Sequence, residues 1–68
     1  MINSKEDAIM VAELLEDEEI KVRMGSILAL EEIKDKEILK AVKEKLEEML
    51  ARQGKDDIRY ALEEIFLI

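Results

Sequence analysis

The 68-residue chain contains no histidine, cysteine, tryptophan or proline, and only two glycines, one tyrosine and one phenylalanine. Histidine and cysteine supply most near-neutral general bases, thiol nucleophiles and zinc ligands, so their absence removes thiol chemistry, disulfides, zinc and the usual acid/base group. Positive charge is also in deficit. Eleven basic against eighteen acidic residues leave a net charge of -7, which argues against a nucleic-acid backbone or an anionic membrane as partner. No stretch approaches the roughly 20 apolar residues that span a bilayer, and the first residues, Met1 to Asp7, lack the basic-then-apolar order of a signal peptide. The expectation is a soluble, cytoplasmic, non-catalytic protein.

What remains is 43% charged and 49% apolar, in a chain short enough to bury only about 60% of the surface its unfolded form exposes. With disulfides and cysteine-based metal sites closed, stability has to come from regular helix packing, self-association or both. Glu, Lys and Ile are abundant and Asn and Gln scarce, a bias shared with proteins of thermophilic organisms.

Hydrophobic periodicity predicts four helices and no strand. The first starts at Asn3 or Ser4 as N-cap, with Ser4 and Asp7 approximating a capping box, and carries a core stripe of Ala8, Val11, Ala12 and Leu15. An acidic run from Glu16 to Glu19 interrupts the pattern, and a second helix covers about 20–33. Asp35 caps a third, in which Leu39, Val42, Leu46 and Met49 recur at three- and four-residue spacing, with Ile38 and Leu50 widening the stripe. Gly54 ends it in the C′ role usual for glycine. Asp56 or Asp57 opens a fourth, with Ile58, Ala61, Leu62 and Ile65 on one face. Connections of a few residues make consecutive helices antiparallel neighbours, so the predicted all-α fold is two helical hairpins in series within one domain, 1–68.

The hairpins read as imperfect copies, about 4–33 and 35–68. A shift of 36 residues places Val22-Arg23 on Ile58-Arg59, Gly25 on Ala61, Ser26 on Leu62, Ala29 on Ile65 and Leu30 on Phe66. The stretch Leu14-Leu15-Glu16-Asp17-Glu18-Glu19-Ile20-Lys21-Val22-Arg23, followed by Ala29-Leu30 and Ile33, resembles the HEAT-repeat family: a Leu-Leu helix end, an Asp turn, Val-Arg, then a small-and-leucine second helix. The second copy departs further, with Leu50-Ala51 for the Leu-Leu pair and Gln53 where the Asp would be. The resemblance implies a short α-α solenoid that acts as a scaffold binding other proteins. It also implies that the turn Asp and helix Arg tie successive repeats together, which gives Asp17, Arg23 and the matching Arg59 structural roles.

Two features offer partner-binding residues. The terminus Ile65-Phe66-Leu67-Ile68 either folds back on helix three, closing the core through Phe66 and Leu67, or forms an apolar end that binds a second copy or another protein. Helix two carries an extra stripe, Ile20, Met24, Ile27 and Leu28, whose helix-four equivalents are Asp56, Tyr60, Glu63 and Glu64. The first expectation is that helix two sits in the middle and buries this stripe against helix four or helix three. The alternative is that Met24, Leu28 and Tyr60 line a surface that grips a partner helix, adaptable Met and Tyr being common there.

Charge is uneven. Residues 1–33 carry three basic and nine acidic side chains, net -6, and residues 34–68 carry eight and nine, net -1. The acidic pole at Glu13, Glu16, Asp17, Glu18 and Glu19 reads as a solvated turn, or as a device that steers a basic partner or meets Lys34, Lys36, Lys40 and Lys43 of another copy. No EF-hand loop, Glu-x-x-His pair, Gly-x-Ser-x-Gly or phosphate-binding loop is present. Neither metal, cofactor nor catalytic residue is therefore expected. The function predicted is a protein-protein interaction module. The rival reading is a compact four-helix bundle with a structural or homodimeric role, or an accessory subunit of an enzyme. A solenoid requires helix two against helix four; a closed bundle requires helix one against helix four.

Overall fold

A computed structural model describes residues 2–67; Met1 and the terminal Ile68 lie outside the described residues. The described residues are all-helical, with no strand. Helix α1 (Lys5–Glu13) runs into a 3₁₀ turn, Leu14–Glu16, followed by α2 (Ile20–Glu31), α3 (Lys36–Gln53) and α4 (Asp56–Phe66).

Each boundary has a local cause. Ser4, in an extended conformation, accepts the Asp7 amide at 3.1 Å through its hydroxyl, so Ser4 and not Asn3 is the cap of α1. Asp35 accepts the amides of Glu37 and Ile38 through one carboxylate oxygen, at 2.8 and 3.2 Å. Gly54 adopts φ 62°, and its N–H donates to the Leu50 carbonyl at 2.7 Å, a left-handed stop that glycine enters without strain. The second helix ends earlier than its apolar pattern predicts, at Glu31. Its last amides, Glu32 and Ile33, bond back three residues to Ala29 and Leu30, a tightened turn that still delivers Ile33 to the core. Leu67 closes α4 with φ 57°, its N–H donating to the Glu63 carbonyl.

One apolar cluster receives side chains from every helix: Ala8, Ala12 and Leu15; Ile27, Leu30 and Ile33; Ile38, Val42, Leu46 and Met49; Ile58, Ala61 and Leu62. The two alanines of α1, both fully buried, leave room for the longer side chains of α3, against which α1 packs. The helix pairs in extended contact are α1 with α2, α3 with α4, α1 with α3, and α2 with α4; α1 and α4 make no extended contact. Ser26 is buried at the α1/α2 seam, where its hydroxyl donates to the Val11 carbonyl at 2.6 Å, satisfying a group whose burial would otherwise be costly.

Two expectations about burial are corrected. The extra stripe of α2 is not covered: Ile20, Met24 and Leu28 are 61%, 58% and 62% exposed, and only Ile27 is buried. Met24 and Leu28 lie about 60° and 100° around the helix from Ile27, and Ile20, though on nearly the same side, stands two turns away at the first residue of α2, so the contact that buries Ile27 covers none of them. At the C-terminal end the two residues part company, Phe66 packing partly against the core while Leu67 is 89% exposed; only Phe66 folds back.

The two glycines make opposite demands. A Cβ at Gly25 meets nothing within 4 Å, whereas Gly54 holds a positive φ. We expect Gly25→Ala to stabilise the chain by about 0.5–1 kcal/mol, since helix interiors favour alanine over glycine by that amount. Gly54→Ala should destabilise it by about 1 kcal/mol. Urea unfolding of the two variants checks both signs.

Candidate protein-binding surface

The exposed stripe of α2 places Ile20, Met24 and Leu28 at four-residue intervals along one edge of the helix, and α4 packs alongside. Tyr60 of α4 is 52% exposed and lies within electrostatic reach of Glu31 on α2 as well as Glu64 on its own helix. The structure therefore puts Met24, Leu28 and Tyr60 on the exposed surface of neighbouring helices. Phe66 stands apart from them against the core, and Leu67 caps the end of α4. The ridge is apolar in the middle and acidic at its border. Glu64 first, and burial and Glu31 after it, hold the Tyr60 hydroxyl above its ordinary pKa near 10, because ionisation would set a phenolate beside carboxylates.

The residues expected to tie the repeats together divide between two roles. Arg23 Nη1 donates to the carbonyls of Asp17 and Glu18, 2.9 Å each, pinning the turn before its own helix. Its Nε lies 2.6 Å from Asp57 Oδ2 of α4, an ion pair in which the N–H is not aligned on the oxygen. The pair is partly shielded, with side chains 22% and 47% exposed. Asp17 acts locally: its carboxylate accepts the Glu19 amide at 2.9 Å, and it is its carbonyl, not its carboxylate, that meets Arg23. Arg59 has no comparable setting. It approaches only Asp56, at 3.9 Å and with both side chains largely in solvent.

The acidic pole is similarly mixed. Glu13 pairs with Lys45 of α3 at 3.2 Å, a second link between the two halves. One Glu16 oxygen is sequestered with no protein partner. Asp17, Glu18 and Glu19 are exposed. Among the described residues no group of three or more acidic side chains is disposed to hold a metal ion, and no helix is long and apolar enough to cross a membrane.

No protein-family model matches the chain, and neither does any curated protein or any solved structure. The functional reading therefore rests on the surface itself. Sequence reasoning missed one part of that surface. Met10, 63% exposed, and Leu14 line a groove on α1 with Ile2, Asp7 and Val11. The signal was present in the four-residue spacing of Met10 and Leu14, on the side of α1 away from Ala8 and Ala12.

Replacing Arg23 removes two charge-assisted bonds and a partly shielded ion pair, whereas Arg59 has only an exposed one. Arg23→Ala should cost about 1–2 kcal/mol and Arg59→Ala less than about 0.5 kcal/mol, measured by urea unfolding. Equal costs would contradict the asymmetry.

Tyr60, the sole tyrosine in a chain without tryptophan, can be titrated directly by its absorbance. Its midpoint should lie above that of free tyrosine, and Glu64→Gln should lower it. A midpoint unmoved by Glu64→Gln would remove the assigned cause.

Proposed function

We propose that this chain is a non-catalytic, cytoplasmic protein-protein interaction module: a two-repeat HEAT-like stack that grips a partner through α2 and α4. The observation that carries this reading is the row Ile20, Met24 and Leu28 left in solvent beside Tyr60, in a chain of which 43% is charged. A 68-residue protein short of buried surface has every reason to cover three large apolar side chains. Leaving them in a row is how interfaces are built, with flexible Met and amphipathic Tyr suited to a helical partner.

The stacked reading is supported by the pairing of α1 with α3 and α2 with α4, since an up-and-down bundle in chain order would instead need α2 against α3 and α1 against α4. The bond from Arg23 to both its own turn and Asp57 supports a tie between successive repeats. Self-association through the same ridge is the second reading, favoured by the same exposed row; the acidic border of Glu31 and Glu64 opposes it, because a symmetric contact would bring like charges together.

Met24→Glu tests the reading. Met24 is exposed, so the variant should retain the circular dichroism and urea midpoint of the parent. A partner captured from the native source by the parent should be lost by the variant, while light scattering reports any dimer that disappears with it. Identical capture by both proteins would exclude the ridge as the binding surface.

A further inference from the structure

A second apolar surface lies on the α1/α2 side of the molecule, and it is distinct from the α2/α4 ridge. Two grooves meet at Ile2: one of about 350 Å³ runs along α1 between Asp7, Met10, Val11 and Leu14, and one of about 200 Å³ lies on α2 at Ala29, Glu32 and Ile33. Val22, Gly25 and Ala29 share a face of α2, half-buried, exposed and half-buried in turn. They lie about 100–160° around the helix from Arg23, the side chain that reaches α4.

The 36-residue correspondence says what this face is shaped to do. In α4 the matching residues Ile58 and Ala61 are fully buried and Ile65 is packed against the core, beside α2 and α3. On α2 only part of the corresponding face is covered: Ser26 and Leu30 are buried, while the edge formed by Val22, Gly25 and Ala29 remains half-buried or exposed. Gly25 fits that reading. Nothing in the chain approaches it, so the helix bears the glycine without a packing reason, and a helix seated there would supply one, since small side chains set how closely two helices approach. Charge then selects the occupant. Both charged residues lining the grooves, Asp7 and Glu32, are acidic, and they belong to the half of the chain with net charge -6. Lys21 borders the face only at the far end of α2 from Glu32. A second copy meeting this face would oppose two acidic poles; a basic helix would neutralise one.

We propose that the α1/α2 face seats an amphipathic, basic helix of a partner protein, its apolar stripe in the grooves either side of Ile2 and its Lys or Arg side chains against Asp7 and Glu32. Occupancy here is independent of the α2/α4 ridge.

The test titrates the isotope-labelled full chain with two synthetic helices, each with leucines at i, i+3, i+4 and i+7 spacing, one flanked by lysines and the other by glutamates. The lysine helix should shift the amide signals of Met10, Leu14, Ala29 and Ile33 and bind roughly tenfold tighter than its glutamate twin at low salt. Met10→Glu and Gly25→Gln should each weaken it roughly tenfold, and Met24→Glu should not. Because a side chain at position 25 meets open space, Gly25→Gln keeps its fold, which circular dichroism verifies. Equal affinity for the two helices, absence of binding, or shifts confined to Ile20, Met24, Leu28 and Tyr60 would overturn the proposal. So would a dimer of the chain itself that Gly25→Gln dissolves, which would assign the face to a second copy. Loss of binding in Met24→Glu alone would return the interaction to the ridge.

Discussion

Neither helix pair of this chain can bury its apolar face without the other, and that constraint organises the molecule. The cluster at the centre draws on all four helices, and its largest fully buried members, Leu15, Leu30, Leu46, Met49, Ile58 and Val42, come from both halves. A half taken alone would expose one side of this cluster, the situation of a single repeat unit. Polar links run alongside the apolar contact: Arg23 to Asp57 between α2 and α4, and Glu13 to Lys45 between α1 and α3. Both are partly in water, so they orient the halves more than they hold them. The stabilisation lies in the apolar area, which is small, and this is why every additional exposed apolar side chain needs an explanation.

The two arginines that a 36-residue shift aligns sit in different settings. Arg23 and Arg59 occupy matching positions, yet only Arg23 has carbonyls before it and a carboxylate across from it. The difference starts in the turns. Before α2 the chain makes a 3₁₀ turn and then an extended stretch whose carbonyls face the guanidinium; before α4 it passes through Gly54 in a left-handed conformation and enters the helix at once. The residues that the shift places on Asp17 and Glu18 are Gln53, the last of α3, and Gly54, its cap, and among the described residues Arg59 approaches Asp56 instead of their carbonyls.

The legible parts of the fold were those set by neighbouring residues. Ser4, Asp35 and Gly54 act where local chemistry places them, because a capping side chain or a positive φ is decided within four residues. The core positions of α3 follow from its regular stripe, Ile38, Val42, Leu46 and Met49. The burial of α2 was not legible. Its apolar residues surround most of the helix, so periodicity gives no single face, and only the packing of the other helices decides that Ile27 is inside and Met24 outside. The candidate surface suffered for the same reason. Met24, Leu28 and Tyr60 could be named from composition and spacing, but Met10 and Leu14 become a groove only once Ile2 lies beside them.

Exposed apolar surface on two sides of so small a protein would ordinarily lead to aggregation, and here the charge arrangement opposes that outcome. The ridge is bordered by Glu31 and Glu64 and the α1/α2 face by Asp7 and Glu32, so a symmetric contact between copies through either surface brings carboxylates together. A partner with basic flanks meets no such barrier. The net charge of -7, which by itself only argues against nucleic acid and anionic membranes as partners, would under the proposed binding reading have a second role: it would leave the apolar faces open while favouring an occupant of opposite sign.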